Sequence, residues 1–403
     1  MVQITPQLHL SDSAQGLIGA SALIGIFFGA FIGGRLTDRF GRQVLYTVDL
    51  VAIIACSVAQ FWATDPVWLF ILRLLMGMAV GADYPIATAL LAEFTPRRYR
   101  GPLIGGLAVM WFVGAAVAYI VGDLLLTTGG AAWRWMLASA ALPAAVVVVL
   151  RLGTPESPRW LARKGRTDEA AAVMRKIFGS GAGVSVLPEA GNESIGLWAL
   201  LRSGYLGRMA FISIFWTCAI VPQFAIYAFG PRILEALNLD GRLANIESAL
   251  ITVFFVAGSA AAVLVVNRMG RRHLILHSFL WSGTALLLLG IFPHAPALVI
   301  MGLFAAYAIL IGGTQILQWI YPNELFPTEI RGSAIGLASS FSRIGAAVGT
   351  YLVPLALTHW GIGGTMLAAG AVTLLGALVS FLAAPESAGL ALHQAASLNR
   401  TTA

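Results

Sequence analysis

The chain has 403 residues, 58% of them apolar and 11% charged, with a mean hydropathy of +0.83 and a net charge of +7. No water-facing surface of this extent can be built from that balance, which excludes a soluble globular protein and predicts an all-α polytopic membrane protein embedded in a lipid bilayer. The basic balance would suit a nucleic acid only if the cations were pooled, and they are instead dealt out among short loops.

Eleven apolar runs fall near 13–36, 43–63, 66–92, 101–125, 133–152, 207–235, 245–267, 271–292, 295–320, 330–357 and 362–384. Each is long enough to cross roughly 30 Å of hydrocarbon as a helix. Arg39, Arg42, Arg97, Arg98, Arg100, Arg159, Arg163, Arg268, Arg271, Arg272 and Arg331 alternate onto one side of these runs. The positive-inside rule makes that side cytoplasmic, with the carboxyl end on it, and so predicts a multi-pass protein of the cytoplasmic (inner) membrane. Trp62, Trp68, Trp133, Trp135 and Trp360 edge the opposite loops as an interfacial belt would. Cys56 and Cys218 lie inside spans without metal or redox spacing, and neither a cofactor nor a metal is expected.

Residues 153–206 are polar and hold Pro155, Pro158 and Pro188, with a stretch "TDEAAAVMRKIF" whose apolar positions recur at helical spacing. They read as a cytoplasmic linker with short amphipathic helices. Three phrases then occur twice. "DRFGR" at 38–42 returns as "NRMGR" at 267–271, "EFTPRRYRG" at 93–101 as "ELFPTEIRG" at 324–332, and "PES" at 155–157 as "PES" at 385–387, at offsets of 229, 231 and 230 residues. One order and one period imply two copies of a helical unit, a build used by secondary transporters. The expected organisation is 1–152, a first transmembrane half; 153–206, the linker; 207–386, a second half; and 387–403, a cytoplasmic tail. Two spans precede "NRMGR" but one precedes "DRFGR", so the first copy is expected to want one helix, within roughly 25 to 30 further residues before Met1.

"GGRLTDRFGR", "EFTPRRYRG", "PESPRWLARKG", "NRMGRR", "ELFPTEIRG" and "APESAGL", in this order over residues 33–390, resemble the major facilitator superfamily, particularly its sugar-porter and metabolite:proton symporter branches. The resemblance implies two six-helix halves about one substrate cavity that opens alternately to each side; here the halves count five and six. It also implies a cytoplasmic gate of ion pairs, from Asp38, Arg39, Arg42, Glu93 and Arg100 in the first copy and Arg271, Glu324 and Arg331 in the second. Asn267 stands where the second copy's acid would be. In "DRFGR" the carboxylate can face a neighbouring helix N-terminus, where the macrodipole favours negative charge.

Charges within the spans cost roughly 2.5 kcal/mol or more each and by default mark a pathway. Asp83, in "VGADYP", lies between residues that distort or thin a helix, so it either titrates as a proton carrier requires or bonds a polar group of a neighbouring helix. Asp49 lies nearer a helix end and is expected to snorkel. Arg73 shares a span with Asp83 at ten residues, about 15 Å, and its spacing to Glu93 resembles that of a sugar-porter arginine whose acid partner sits on the first helix. Arg343, among Ser and Gly, resembles the arginine of organic-ion carriers and awaits either a substrate carboxylate or an internal acid.

Gln223 with Tyr227, and Gln315 with Trp319, repeat an i, i+4 spacing that can hydrogen-bond and stack a small polar ligand. Trp319 matches a substrate-facing tryptophan of sugar porters. Pro222 and Ala115, by contrast, stand where such porters carry glutamine, which favours an organic or aromatic acid at least as well as a hexose. Trp111, Trp216 and Trp281 read as helix packing. Scattered histidines and the lack of a phosphate loop argue against an enzyme or a primary pump. The expected function is secondary transport of a small polar metabolite by a monomeric carrier, coupled to protons; the alternatives are an inactive truncated carrier or a transporter-like sensor.

Overall fold

The computed structural model describes residues 3–94, 97–178, 204–236, 244–326 and 328–388, and its regular structure there is helical throughout. After a short turn of helix, α1 (Ile4–Gln7), come α2 (Asp12–Phe40), α3 (Arg42–Ala59), α4 (Pro66–Phe94), α5 (Arg97–Leu126), α6 (Ala132–Ser139) and α7 (Ala141–Arg151). Two linker helices follow, α8 (Pro158–Arg163) and α9 (Thr167–Phe178). The rest comprises α10 (Leu206–Ala236), α11 (Ala244–Met269), α12 (Arg271–Ile291), α13 (Ala297–Leu310), α14 (Gly312–Leu325) and α15 (Thr328–Ala383). Hydrocarbon offers backbone amides no partner, and a helix satisfies each of them within its own segment. Among the described residues ten segments are long and apolar enough to cross a membrane. The last of these, Ala334–Ala383, is two helices joined at Gly361 (φ +65°), where the sequence places the gap between its final two spans.

The linker helices are specified locally. Ser157 caps α8 by accepting from the Trp160 N–H at 3.2 Å, and Pro158 takes the first helical position, where no donor is needed. In α9, Asp168 and Glu169 occupy the first turn and Arg175 and Lys176 the last, as the macrodipole prefers. Ala170 and Met174 of α9 and Leu161 of α8 are buried, so the amphipathic pattern of "TDEAAAVMRKIF" is used for packing.

The chain forms two compact units, one drawn from Met1–Ala20, Gly105–Trp133 and Ser194–Ala403, the other from Ser21–Ile104 and Arg134–Glu193. Within each, helices meet backbone to backbone. In the second unit a Cβ at Gly25, Gly29, Gly77 or Gly81 would strike the facing backbone of α2 or α4. In the first, a Cβ at Gly258 of α11 would run into the Ile309 carbonyl, and one at Gly312 into Gly258 itself. Gly29 faces Met78 as Gly258 faces Ile309, so the repeat spacing seen in the motifs also governs this contact. Small residues let helices approach where no hydrophobic force acts between them, and dispersion supplies the attraction.

A side chain inserted at that crossing has nowhere to go. Gly258→Ala should cost about 1–3 kcal/mol, read as a lower thermal midpoint of the purified protein in detergent. Gly302→Ala, where a Cβ meets nothing within 4 Å, should stay within about 0.5 kcal/mol of the parent.

Candidate functional site

In the first unit α10 and α14 bring the two expected residue pairs together. Gln315 Nε2 donates to Gln223 Oε1 at 2.6 Å, and both amides are buried. Aromatic rings surround them. Trp319 meets Trp216 edge to face at 5.9 Å, and Tyr227 lies 5.3 Å from Trp111 and 5.6 Å from Phe255. The Tyr227 hydroxyl lies against Gln223 and Thr252. Trp111, expected only to pack helices, is thus part of this wall, whereas Trp281 is 52% exposed and faces outward.

α10 carries a built-in defect here. Pro231 has no N–H for the Tyr227 carbonyl one turn back, and Phe229 is non-helical (φ −127°, ψ 15°). The Tyr119 hydroxyl donates to that carbonyl at 2.9 Å and restores the missing bond. Irregular backbone at membrane depth is tolerated where protein re-satisfies it. Arg343 of α15 is buried, its guanidinium 5.4 Å over the Phe224 ring, within range of a cation–π contact. Gly345 and Gly349 seat α15 against Thr217 and Val221 of α10.

The second unit holds two acids inside its spans. Asp83 of α4 has its Oδ1 enclosed without a donor in hydrogen-bonding geometry. Arg73 is too far along the same helix to pair with it, and the cation whose field reaches Asp83 is Arg151. Asp49 corrects the sequence reading. Rather than snorkelling, it is 4% exposed, and neither carboxylate oxygen meets a donor. The reason is the packing of α3 against both α4 and α7, which turns Tyr46, Asp49 and Leu50 inward.

At the arginine-bearing end, Arg271 grips Glu324 with two bonds, Nη2 to Oε1 at 2.9 Å and Nε to Oε2 at 3.2 Å. Ser387 Oγ donates to Glu324 Oε2 at 2.7 Å, and Arg271 Nη1 to Asn267 Oδ1 at 3.2 Å. The pair therefore joins α12 to α14 within the second copy. Arg39 is exposed, with its guanidinium 5.3 Å from the Phe40 ring. The side chains of Asp38, Glu93, Arg100 and Arg331 lie outside the described residues, so the corresponding pairs of the first copy do too.

Two acids missed in the sequence organise this end. Glu386 accepts from the backbone N–H groups of Arg271, Arg272, Ser387 and Ala388 at 2.8–3.0 Å. Glu156 accepts from those of Arg42, Gln43 and Ser157 at 2.8–3.3 Å. Each carboxylate sits on the N-terminus of the helix that follows "DRFGR" or "NRMGR", where unpaired N–H groups and the macrodipole attract an anion. Gly41 (φ +100°) and Gly270 (φ +81°) make the turns, and a Cβ at either would strike the bound carboxylate. The charge absent at Asn267 is thus supplied from a different motif. The signal was the recurrence of "PES" at the repeat period, which spacing alone does not convert into a cap. Burial pushes the Glu386 carboxyl up, but the four N–H donors outweigh it and hold the group below the usual carboxylate range.

With this geometry in view, comparison with known proteins is decisive. A family model described as "Sugar (and other) transporter" matches residues 3–398. The chain belongs to this family. It is 40% identical to YaaU of Escherichia coli (strain K12) over 397 residues, covering 98% of this chain and 89% of that protein. It is 38% identical to the inner membrane metabolite transport protein YgcS of the same strain, covering 97% and 87%. Among solved structures, the xylose transporter XylE from E. coli in a partially occluded inward open conformation matches with a TM-score of 0.81 at 21% identity, over 96% of this chain and 93% of that one. The fold is that of the major facilitator superfamily, and the chain is a multi-pass membrane transporter and not an enzyme.

The Glu386 cap gives this transporter a defined pH dependence. A carboxyl whose folded pKa is depressed contributes stability that is complete above its unfolded value and is lost as pH falls through the folded one. Glu386→Gln should therefore cost about 1 kcal/mol of stability at neutral pH, the worth of a carboxylate at a helix N-terminus, and so lower the thermal midpoint. The difference from the parent should shrink on acidification. A thermal-shift series from neutral to acid pH measures both.

Proposed function

We propose that this carrier moves a small polar metabolite bearing a carboxylate across the bacterial inner membrane by alternating access, in symport with protons. The reading rests above all on the buried Gln223–Gln315 amide pair. A hydrogen bond between two neutral amides deep in a span holds donors and acceptors ready for exchange with a ligand at little desolvation cost, and the surrounding tryptophan and tyrosine rings offer it stacking faces. Arg343, beside Phe224, supplies the cation that an organic acid requires and a neutral sugar does not.

Proton coupling is supported by Asp83. An acid enclosed in a span is far easier to hold neutral than charged, so its protonation can be tied to the conformational cycle. One relative, the D-xylose-proton symporter of E. coli (strain K12), is named for such coupling and is 25% identical over 438 residues, covering 98% of this chain. In our reading the side bearing Arg42, Arg271 and Glu324 is cytoplasmic, the carboxyl end lies there, and the Arg271–Glu324 pair with its Glu386 cap belongs to the cytoplasmic gate. The working unit is a monomer.

The test is uptake by proteoliposomes offered a panel of radiolabelled monocarboxylates, aromatic acids, pentoses, hexoses and inositol, with and without an imposed proton gradient. Uptake of at least one acid, driven by the gradient, is expected. Arg343→Gln should lower that uptake tenfold or more while sparing any neutral substrate, whereas Gln315→Leu, which leaves Gln223 unpaired, should depress both. A panel in which only neutral sugars move, unaffected by Arg343→Gln, would remove the anionic assignment. Asp83→Asn should abolish accumulation against a gradient but leave counterflow exchange; equal accumulation by variant and parent would take Asp83 out of the proton path.

A further inference from the structure

Beneath the packed face of α3 and α4 lies an electrostatic arrangement that the transport reading uses only through Asp83. Asp49 and Asp83 stand on the helix faces whose neighbours one or two turns away, Tyr46 and Ile53 on α3 and Ile86, Ala87 and Leu90 on α4, pack into one apolar cluster closed by Val147 and Val148 of α7. The charged or titratable groups that act on Asp49 are Asp83 from α4, Arg151 from α7 and, on its own helix, Tyr46. Arg151 lies flat on Tyr46, its guanidinium carbon 3.2 Å from the ring centroid. Three carboxylate oxygens of the two acids are enclosed with no donor in hydrogen-bonding geometry.

Charge counting decides how many protons this cluster holds. Two bare carboxylates enclosed in one apolar layer repel each other and lack the donors that would offset their desolvation. Two neutral acids would leave Arg151 as an uncompensated cation. One proton on the pair, with Arg151 as counter-charge across the Tyr46 ring, leaves the cluster neutral. Asp49 is seven residues from the start of α3 and Asp83 eleven from the end of α4, so the two sit about 10 and 16 Å from the arginine-bearing end.

We propose that Asp49 is a second proton site of this transporter and that it shares a single proton with Asp83, with Arg151 as the resident counter-ion. The proposal deepens the proton-coupled reading and rests on it for its role in transport, but not for its test. The two acids should titrate as one coupled system, in which neither has a value of its own.

The experiment is a pH titration by infrared difference spectroscopy of the 403-residue chain in lipid nanodiscs without substrate, following the D2O-sensitive C=O absorption of protonated carboxyl groups. The parent should keep such a band at neutral pH and lose it on alkalinisation. Asp49→Asn removes the like charge beside Asp83, so the remaining band should vanish at a pH about one unit lower or more, a tenfold loss of proton affinity. Asp83→Asn should do the same to Asp49, the double variant should lack the band, and Arg151→Gln should move the parent midpoint upward. An unmoved midpoint in either single variant, or a band that survives the double variant, overturns the proposal. A band that responds to added sodium at fixed pH overturns it too, by replacing the proton with a metal cation. Should an Asn variant elute as aggregate, Asp49→Glu keeps the acid and should retain the band with a displaced midpoint. Because no substrate is used, an Asp83→Asn carrier that still accumulates metabolite would refute the coupling role and leave the shared proton intact, and the reverse outcome is equally distinct.

Discussion

A polar group inside hydrocarbon has to find its partner within the protein, and each informative feature of this carrier is a response to that constraint. Backbone amides meet it by forming helices. Where Pro231 removes a donor from α10, the Tyr119 hydroxyl takes the vacant carbonyl of Tyr227. Where α3 and α12 begin and expose unpaired N–H groups, Glu156 and Glu386 cover them. Where amide side chains are buried, Gln223 and Gln315 satisfy one another. Among the described residues the acids that stand outside this pattern are Asp49 and Asp83, whose enclosed oxygens meet no donor, alongside neutral groups such as Gln60 Oε1, Trp216 Nε1 and Gln318 Nε2; a carboxylate in that position is held most cheaply by a proton.

The two copies solve the helix-start problem identically although their local sequences differ. "DRFGR" carries an acid and "NRMGR" an amide, yet both are followed by a helix capped from a "PES" motif more than a hundred residues away. The cap is worth more than a local side chain could supply because it also ties chain segments together. Glu386 holds the start of α12 to the segment after α15, and Glu324, gripped by Arg271 and Ser387, ties α14 into the same knot. An ion pair of this kind, half-shielded and bidentate, is stronger than an exposed one and still within reach of solvent.

Much of this was legible in the sequence because membrane helices are written in composition. Apolar runs gave the spans, arginine alternation gave a side for the loops, and three repeated phrases gave the internal period that reappears in the helix crossings at Gly29 and Gly258. The i, i+4 pairs Gln223–Tyr227 and Gln315–Trp319 were legible as ligand-facing candidates, since a polar face on an apolar helix has few other uses. What sequence could not supply was partner identity over long range. Glu156 and Glu386 lie outside the spans, and their "PES" motifs were legible as a repeat but not as caps. Asp49 looked interfacial because distance from a helix end was its only coordinate, whereas its burial comes from the way α7 lies over α3.

That difference between depth along a helix and enclosure around it bears on how charge is arranged in the transporter. Depth is a property of one segment and can be counted; enclosure belongs to the packing of several. Arg73 lies deep on α4, yet the cation that acts on Asp83 is Arg151, from the last position of α7. The Arg151 guanidinium, half-buried at the end of α7 against the Tyr46 ring, acts from there on both acids. An acid pair regulated from such a boundary position responds to small changes in how α3, α4 and α7 pack. Repacking these three helices changes proton affinity, and by linkage a change in protonation biases the packing.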